Sequence, residues 1–181
     1  MADVDFDELV ETYYKPLFRF GLSLSRKESD ASDLTQQTFQ AWASKGHQLR
    51  DTSKVKTWLF TTLYRAFLAQ KRHGDRFVDI ENETEFAEPS HVLPSVVEAL
   101  DAEFVQAALL ALDERYRAPV TLFYMKQHSY REIAEILEIP IGTVMSRISR
   151  GKAELRVQLS DAVHREQRKI VSLKEPGRDD A

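Results

Sequence analysis

The sequence predicts an all-α protein: two small helical domains joined by an acidic flexible linker, with a helix-turn-helix in the second domain. Apolar residues recur at helical spacing in both halves, and no alternating pattern typical of strands is present. Between the halves, residues 74–94 show no period and combine acidic residues with two prolines and a glycine. We therefore expect domains at residues 1–73 and 95–172, separated by a linker at residues 74–94.

The first half predicts three helices, at residues 5–25, 30–44 and about 53–72. Each has an apolar stripe at helical spacing; in the second helix the stripe contains Leu34 and Trp42. A stripe of this kind on each helix predicts three helices that pack on one another and share a core.

The second half predicts helices at residues 95–111 and 114–125, followed by a helix-turn-helix over residues 129–156. Ser129 and Glu132 have the spacing of a capping box, which predicts that a helix begins there. Pro140 and Gly142 predict a sharp turn after that helix. Thr143 is then expected to cap the second helix of the motif.

The second helix of this motif has an apolar side and a polar, basic side. Val144, Ile148 and Leu155 are expected to face inward. A short helix, a turn and a helix with an exposed basic face are typical of proteins that enter the major groove of DNA. An ordinary helical hairpin with a solvated basic face is the alternative. The residues expected to face DNA are Thr143, Met145, Ser146, Arg147, Ser149, Arg150 and Lys152.

Composition argues against several other classes of protein. The chain has no cysteine, which excludes disulfides, thiolate metal sites and cysteine nucleophiles. Its five histidines are scattered without metal-ligand spacing, and no catalytic motif is present, so we expect neither an enzyme nor a cofactor. The acidic N-terminus lacks the order of a signal peptide and no apolar run is long enough to span a membrane, which favours the cytoplasm.

Charge is distributed unevenly along the chain. The net charge is −4, yet residues 74–103 alone carry nine acidic residues and one arginine. The halves on either side are therefore mildly basic, which suits contact with nucleic acid despite the acidic total.

Two blocks of sequence resemble the extracytoplasmic-function sigma factors of bacterial RNA polymerase. The first comprises FDELVETYYKPLFRFGLSLS, DASDLTQQTFQAWA and KTWLFTTLYRAFLAQKR, and is similar to the family's region two. The second, LDERYRAPVTLFYMKQHSYREIAEILEIPIGTVMSRISRGKAELR, is similar to region four. The chain departs from the family pattern at Ala69, where an aspartate is often found, and at Glu138, where a glycine is common.

The resemblance implies that the DL-x-Q face of the second helix binds the polymerase core. A carboxylate can pair there with an arginine, and amides can fix the register of docking through hydrogen bonds. From its residues alone, this face could equally be an ordinary solvated one. The residues implied in polymerase binding are Asp33, Leu34, Gln36, Gln37 and Gln40.

The resemblance also implies that the third helix binds the minus-ten element and helps to melt it. Aromatic rings beside cations suit unpaired bases and phosphates of a single strand. Phe60 and Tyr64 could instead pack against a neighbouring helix. The residues implied are Arg50, Lys56, Trp58, Phe60, Thr61, Tyr64, Arg65, Lys71 and Arg72.

In this interpretation the helix-turn-helix reads the duplex minus-thirty-five element. The expected partners are RNA polymerase core and promoter DNA, both duplex and melted non-template strand, and an anti-sigma protein is a candidate third partner. A free chain should then have loosely tethered domains with both DNA-binding faces exposed. A standalone helix-turn-helix regulator that binds duplex DNA is the alternative, and the DLTQQTF and WLF segments argue against it.

Overall fold

The computed structural model describes residues 5–75, 107–125 and 128–174, and describes backbone alone at residues 73–75 and 159–174. Within these ranges every regular element is a helix, which confirms the predicted fold class. Residues 74 and 75 of the predicted linker continue the third helix, and the rest of that linker lies outside the described residues. Of the helix predicted at residues 95–111, the described part, 107–111, is helical.

The first three helices form an N-terminal block. Helix α1 begins after Asp5, whose carboxylate accepts a hydrogen bond from the Asp7 backbone N–H at 2.8 Å, and ends at Arg26 with a φ of 62°. The apolar stripes meet as predicted, since Leu17, Leu34 and Leu59 are completely buried. The helices are α1 (Phe6–Ser25), α2 (Glu28–Lys45) and α3 (Val55–Asp75), with 3₁₀ turns at Gly46–Gln48 and Thr52–Lys54.

The remaining helices form a C-terminal block. The predicted capping box is present: the Ser129 N–H donates to the Glu132 carboxylate at 2.7 Å, and the Glu132 N–H donates to the Ser129 hydroxyl at 3.2 Å. These bonds satisfy backbone donors that would otherwise lack a partner at the start of the helix. The helices are α4 (Glu114–Tyr124), α5 (Tyr130–Leu137) and α6 (Ile141–Lys174).

The turn between α5 and α6 differs from the prediction. Gly142 lies inside α6 without a positive φ, and the left-handed residue is Glu138, with a φ of 55°. Thr143 is not the cap either, because α6 begins at Ile141 and the Pro140 carbonyl accepts from the backbone N–H groups of Thr143 and Val144 at 2.9 and 3.1 Å. The chain reverses as soon as the apolar face of α5 ends, so α6 begins earlier than predicted.

Helices α4 and α6 approach each other closely at Gly151. A Cβ atom at this position would lie 2.5 Å from Cγ2 of Val120 and 2.9 Å from Cβ of Tyr116. Both distances are shorter than any normal carbon–carbon contact, so only glycine permits this packing. This contact holds α6 against α4 directly after the exposed residues at the start of α6.

The two blocks pack together rather than standing apart. Helix α1 contacts α4, and α3 contacts α5. One continuous cluster of buried side chains contains Leu17 and Phe60 from the first block and Leu122 and Ile133 from the second. The expectation of loosely tethered domains with both DNA-binding faces exposed is therefore wrong for this structure, because apolar side chains of each block complete the core of the other.

Candidate nucleic-acid interface

The outward face of α2 is polar and open, as predicted. Asp33, Gln36, Gln37 and Gln40 are all exposed. Leu34, which the sequence placed among the polymerase-binding residues, has no exposed surface and belongs to the core. It therefore supports the face from beneath and does not contact a partner.

The aromatic residues of α3 do not point into solvent. Phe60 was predicted to face outward, but it is completely buried, with its ring 5.6 Å from that of Phe20. Trp58 is half-buried, with its ring 5.3 Å from that of Trp42 in an edge-to-face arrangement. Tyr64 is also half-buried, and burial raises the pKa of its phenol. Burial of a large aromatic ring stabilises the folded protein relative to exposure of the same ring to water, which favours these buried positions.

The cations before and along α3 form ion pairs with carboxylates of the C-terminal block. Lys56 lies 2.8 Å from Glu132, and Arg65 bonds Glu138 through Nε at 2.7 Å and a terminal nitrogen at 2.5 Å. Each of these two pairs joins the two blocks, and Lys56 and Arg65 are both residues that the resemblance assigned to promoter DNA. The four pairs are Lys54–Glu135, Lys56–Glu132, Arg65–Glu138 and Lys71–Glu114.

Three of these carboxylates form one acidic stripe along α5 and the residue that follows it. Glu132 and Glu135 are three residues apart and lie on neighbouring positions of the helical surface, and Glu138 is the left-handed residue directly after the helix. Sequence reasoning did not single them out as a surface. Their spacing of three was the available signal, and it would have indicated an acidic surface able to match the basic one of α3.

Glu132 is the most strongly held of the three. Burial raises the pKa of this carboxyl, but hydrogen bonds from Lys56 and from Ser129 outweigh burial and lower the pKa to about 2. The carboxylate is therefore ionised at every pH at which the protein is expected to work. It serves two elements at once: the cap of α5 and the contact with α3.

His128 closes the apolar part of the contact between the blocks. It is 8% exposed, and its ring stands edge-on to Phe60 with the ring centres 4.5 Å apart. Burial, reinforced by the nearby charge of Lys56 and opposed by that of Glu132, lowers the pKa of its imidazole to about 4. His128 is therefore neutral near pH 7 in this arrangement.

The other residues assigned to the minus-ten element lie in different environments. Arg50 and Arg72 are exposed, and Arg72 donates from Nε to the Leu68 carbonyl at 3.3 Å. Thr61 is half-buried. The structure thus leaves the two ends of the predicted surface open and covers its middle.

The start of α6 has the orientation that the sequence predicts. Val144 and Ile148 are buried, while Met145 is 52% exposed and Arg150 is exposed. Met145 therefore faces solvent and does not fill the core. The Ser146 hydroxyl donates to the Thr143 carbonyl at 3.0 Å. Ser146 and Ser149 are also exposed, and Thr143 is half-buried.

Two cations of α6 are less open than predicted. Arg147 is half-buried and lines a cleft with Tyr64 of α3. Lys152 is half-buried as well, with its ammonium 4.7 Å from the centre of the Phe123 ring. A cation over an aromatic face is stabilised by the ring's negative face, so Lys152 has a partner within its own block.

Neither a metal centre nor a membrane span emerges from the described ranges. These residues contain no group of three or more acidic, histidine or cysteine side chains able to hold a metal ion. No helix among them combines the length and apolar character required to cross a bilayer.

Comparison with known proteins accounts for both blocks. Residues 9–77 match the model of sigma-70 region 2, and residues 105–155 match that of sigma-70 region 4. Two regions of one class in this order define a sigma factor. The structure is similar to that of the sigma factor RpoE from Bartonella quintana, solved in complex with the anti-sigma factor NepR. That similarity has a TM-score of 0.73 at 31% identity and covers 86% of this chain and 97% of that one.

Curated relatives identify the family. SigL of Mycobacterium tuberculosis is 30% identical over 84% of this chain and 88% of its own, and SigM of Bacillus subtilis is 28% identical over 88% and 98%. The fold of CnrH, solved with the cytosolic domain of CnrY, is also similar, with a TM-score of 0.58. The chain belongs to the ECF RNA polymerase sigma factors, and it acts with RNA polymerase to direct promoter-specific transcription initiation.

Proposed function

We propose that three separate surfaces carry out the work of this sigma factor. The exposed face of α2 binds the polymerase core, α3 and the turn before it bind the melted minus-ten strand, and the start of α6 reads the minus-thirty-five duplex. The protein supplies binding energy and no catalytic step, and it works in the cytoplasm because polymerase core is there.

The observation that carries this proposal is the geometry of the α5–α6 unit. Val144 and Ile148 anchor α6 in the core, and the neighbouring Met145, Ser149 and Arg150 are exposed. A rigid helix with short polar residues and an arginine can lie in a major groove about 12 Å wide. Arginine can bond guanine with two hydrogen bonds, and Met145 can contact a thymine methyl group.

The α2 surface suits a protein partner. Asp33, Gln36 and Gln40 stand exposed on a helix that Leu34 and Trp42 fix to the core. Rigid presentation reduces the entropy lost on binding, and Asp33 can pair with a cation of the partner.

The α3 surface suits a single strand once it is open. Lys56 and Arg65 can neutralise phosphates, and Tyr64 or Trp58 can stack on an unpaired base. Capturing bases outside the duplex stabilises the melted state, so strand separation needs no nucleotide hydrolysis in this scheme.

Core association is the first test. Purified protein is mixed with bacterial core polymerase, the mixture is separated by gel filtration, and the complex is assayed for run-off transcription from genomic fragments. We expect co-elution and specific transcripts, which would also map the promoters. Binding to duplex DNA without co-elution would instead favour a standalone helix-turn-helix regulator.

The docking face is tested by the double variant Asp33→Ala, Gln36→Ala. We expect core affinity to fall by roughly thirtyfold, since truncating two central polar contacts costs on the order of 1 kcal/mol each. Both side chains are exposed, so the fold should be retained. The double variant Glu11→Ala, Glu28→Ala, which changes exposed residues of α1 and α2, is the control and should bind normally. Unchanged affinity of the Asp33 and Gln36 variant would contradict the docking assignment.

A further inference from the structure

A cleft of about 720 Å³ lies where the end of α1 and the C-terminal part of α3 meet the start of α4. Its walls combine cations with apolar side chains, and its size is within the range of small-ligand sites in proteins. We propose that this cleft binds a nucleoside phosphate, with the phosphate between Arg26 and Arg117 and the base against Phe67. The inference does not depend on the roles proposed for α2, α3 and α6.

The first argument is a buried arginine whose hydrogen bonds are incomplete. Arg117 lines the cleft and is only 4% exposed. One of its terminal nitrogens donates to the Leu112 carbonyl at 2.6 Å, whereas Nε has no hydrogen-bond partner among the described residues. No carboxylate in the same ranges lies within ion-pair distance of it. A buried cation is costly unless an anion and acceptors compensate it, so this position predicts an anionic ligand.

The second argument is a like charge at the same cleft. Arg26 is exposed, lines the cleft and also lies beyond ion-pair distance of every carboxylate that the structure describes. Burial lowers the pKa of the Arg117 guanidinium, and the charge of Arg26 lowers it further, against the opposing charges of Glu114 and Asp113. The two guanidiniums therefore repel each other, and a phosphate between them would replace that repulsion with two charge-assisted contacts.

The other charges of the cleft have partners, with one exception. Lys71 forms an ion pair with Glu114, and Asp113 accepts hydrogen bonds from the backbone N–H and the Nε of Arg115 at 3.0 and 2.9 Å. The exception is Asp30, which is half-buried and has no described cation within ion-pair distance. A carboxylate disfavours a phosphate beside it but is the usual acceptor for the hydroxyl groups of a ribose. Its presence therefore favours a nucleoside phosphate over an inorganic anion.

The apolar wall of the cleft also suits a nucleotide. Leu24 and Phe67 line it and are half-buried, and Leu112, which lines it as well, is completely buried. An aromatic ring can stack on any nucleobase, because every base has a π face. Apolar neighbours also lower the local dielectric, which strengthens the contacts between a phosphate and the arginines.

The backbone of Arg26 supports a role for its side chain. Its φ of 62° lies in the left-handed region, which glycine or asparagine adopts at lower cost. The Arg26 N–H donates to the Leu22 carbonyl at 2.9 Å and so closes α1, which glycine would do equally well. Arginine at this position adds a cation to the cleft, and an unfavourable conformation beside a cleft favours a function for the residue that adopts it.

Isothermal titration calorimetry of the full chain tests the site with ADP, GDP and inorganic pyrophosphate as probes, at fixed salt and without divalent cations. We expect ADP or GDP to bind, one nucleotide per chain. Pyrophosphate should bind at least about tenfold more weakly, because it has no base to stack on Phe67. The bound nucleotide should also raise the Tm of the chain as its concentration increases, since a ligand of the folded state stabilises that state.

Two variants separate the two parts of the site. Arg26→Gln should weaken nucleotide binding by about tenfold or more, because it removes a charge-assisted contact while a non-glycine side chain of similar length remains. Phe67→Leu should weaken binding of the nucleotide and leave binding of pyrophosphate unchanged, a difference that a general loss of structure would not produce. Arg19→Gln, an exposed change on α1, is the control and should bind normally. Circular dichroism verifies that each variant is folded.

Four results would overturn the proposal. Absence of nucleotide binding by the wild-type chain would remove the ligand, and unchanged affinity of the Arg26 variant would place the binding elsewhere. Pyrophosphate bound as tightly as a nucleotide would remove the nucleoside from the proposal. Nucleotide binding only by a variant with glutamine in place of Glu81, Glu83 and Glu85 would show that acidic residues of the chain itself compete for the arginines. None of these results bears on core association or promoter binding, which run-off transcription tests separately.

Discussion

The two surfaces proposed to meet promoter DNA are both built on a helix with a buried apolar stripe, yet only one of them is open. On α6, Met145 and Arg150 stand in solvent. On α3, Phe60 is buried and Arg65 is paired with a carboxylate of the other block. The difference follows from what each outward face contains.

The outward face of α6 is made of short polar residues and cations around a single methionine, and such a face gains little from burial. The outward face of α3 adds aromatic rings to its cations, so it is attractive both to unpaired bases and to the interior of a protein. The features that suit α3 to a single strand also suit it to contact with its own C-terminal block. Fold stability and the proposed strand binding therefore depend on the same side chains.

The largest effect should come from disturbing the contact between α4 and α6, which supports the exposed surface of α6. Gly151→Ala places a methyl group within 2.5 Å of Val120 and must push α6 away from α4. We expect the free energy of unfolding to fall by about 1–3 kcal/mol, the usual cost of overpacking a core, and duplex binding to weaken with it. Chemical denaturation followed by circular dichroism measures the change in stability.

Gly142→Ala is the matched control for this prediction. A Cβ atom there meets nothing within 4 Å, and the residue lies in the first turn of α6 without a positive φ. Alanine should leave stability unchanged or raise it by up to about 1 kcal/mol, since it favours helix over glycine. Equal destabilisation by both variants would mean that close packing at Gly151 is not the cause.

The next prediction compares an exposed arginine of α6, Arg150, with a half-buried one, Arg147. Arg150→Ala should weaken binding of the free protein to minus-thirty-five duplex by about 1–3 kcal/mol, the range for one arginine–base contact. Arg147→Ala should weaken it less in the free protein, because Arg147 is half-buried beside Tyr64. Fluorescence anisotropy at fixed salt measures both, with the exposed Arg19→Ala on α1 as the control. A larger loss at Arg147 than at Arg150 would show that the cleft does not restrict it.

The smallest effect should come from a change of pH, which alters how strongly the two blocks pack together. Packing lowers the pKa of His128 to about 4 through burial and Lys56, against the opposing charge of Glu132, whereas an exposed imidazole titrates near 6.5. The neutral form is favoured by packing, so the packed state is fully stabilised above pH 6.5 and loses stability as the pH falls toward 4. The low pKa of Glu132 acts only below pH 4.5, outside this window.

Between about pH 7 and about pH 5.5 we therefore expect the packed fraction to decrease, with an equilibrium shift of up to about tenfold. Fluorescence energy transfer between dyes on thiols introduced by Lys54→Cys and Glu135→Cys, one in each block, would report it, since the chain has no cysteine of its own. His128→Phe keeps an aromatic ring against Phe60 and cannot be protonated, so its signal should stay flat across the same range. An identical pH response in that variant would assign the effect to other groups.

Much of the fold was predictable because it depends on local patterns. The capping box at Ser129, the buried Val144 and Ile148 and the exposed Asp33 all follow from helical spacing and capping chemistry, and all are confirmed. The roles of these surfaces in binding polymerase and DNA stay predictions. The turn was predicted wrongly because sequence rules assign left-handed positions to glycine, and here Glu138 takes that conformation.

By itself the sequence determined the helices, the polar face of α2 and the basic face at the start of α6, because each depends on residues a few positions apart. It could not determine that Phe60 would be buried or that the stripe of Glu132 and Glu138 would meet the cations of α3. Those outcomes depend on contacts between residues about seventy positions apart in the chain. An amphipathic helix specifies which side is apolar, but only tertiary packing decides which partner covers it.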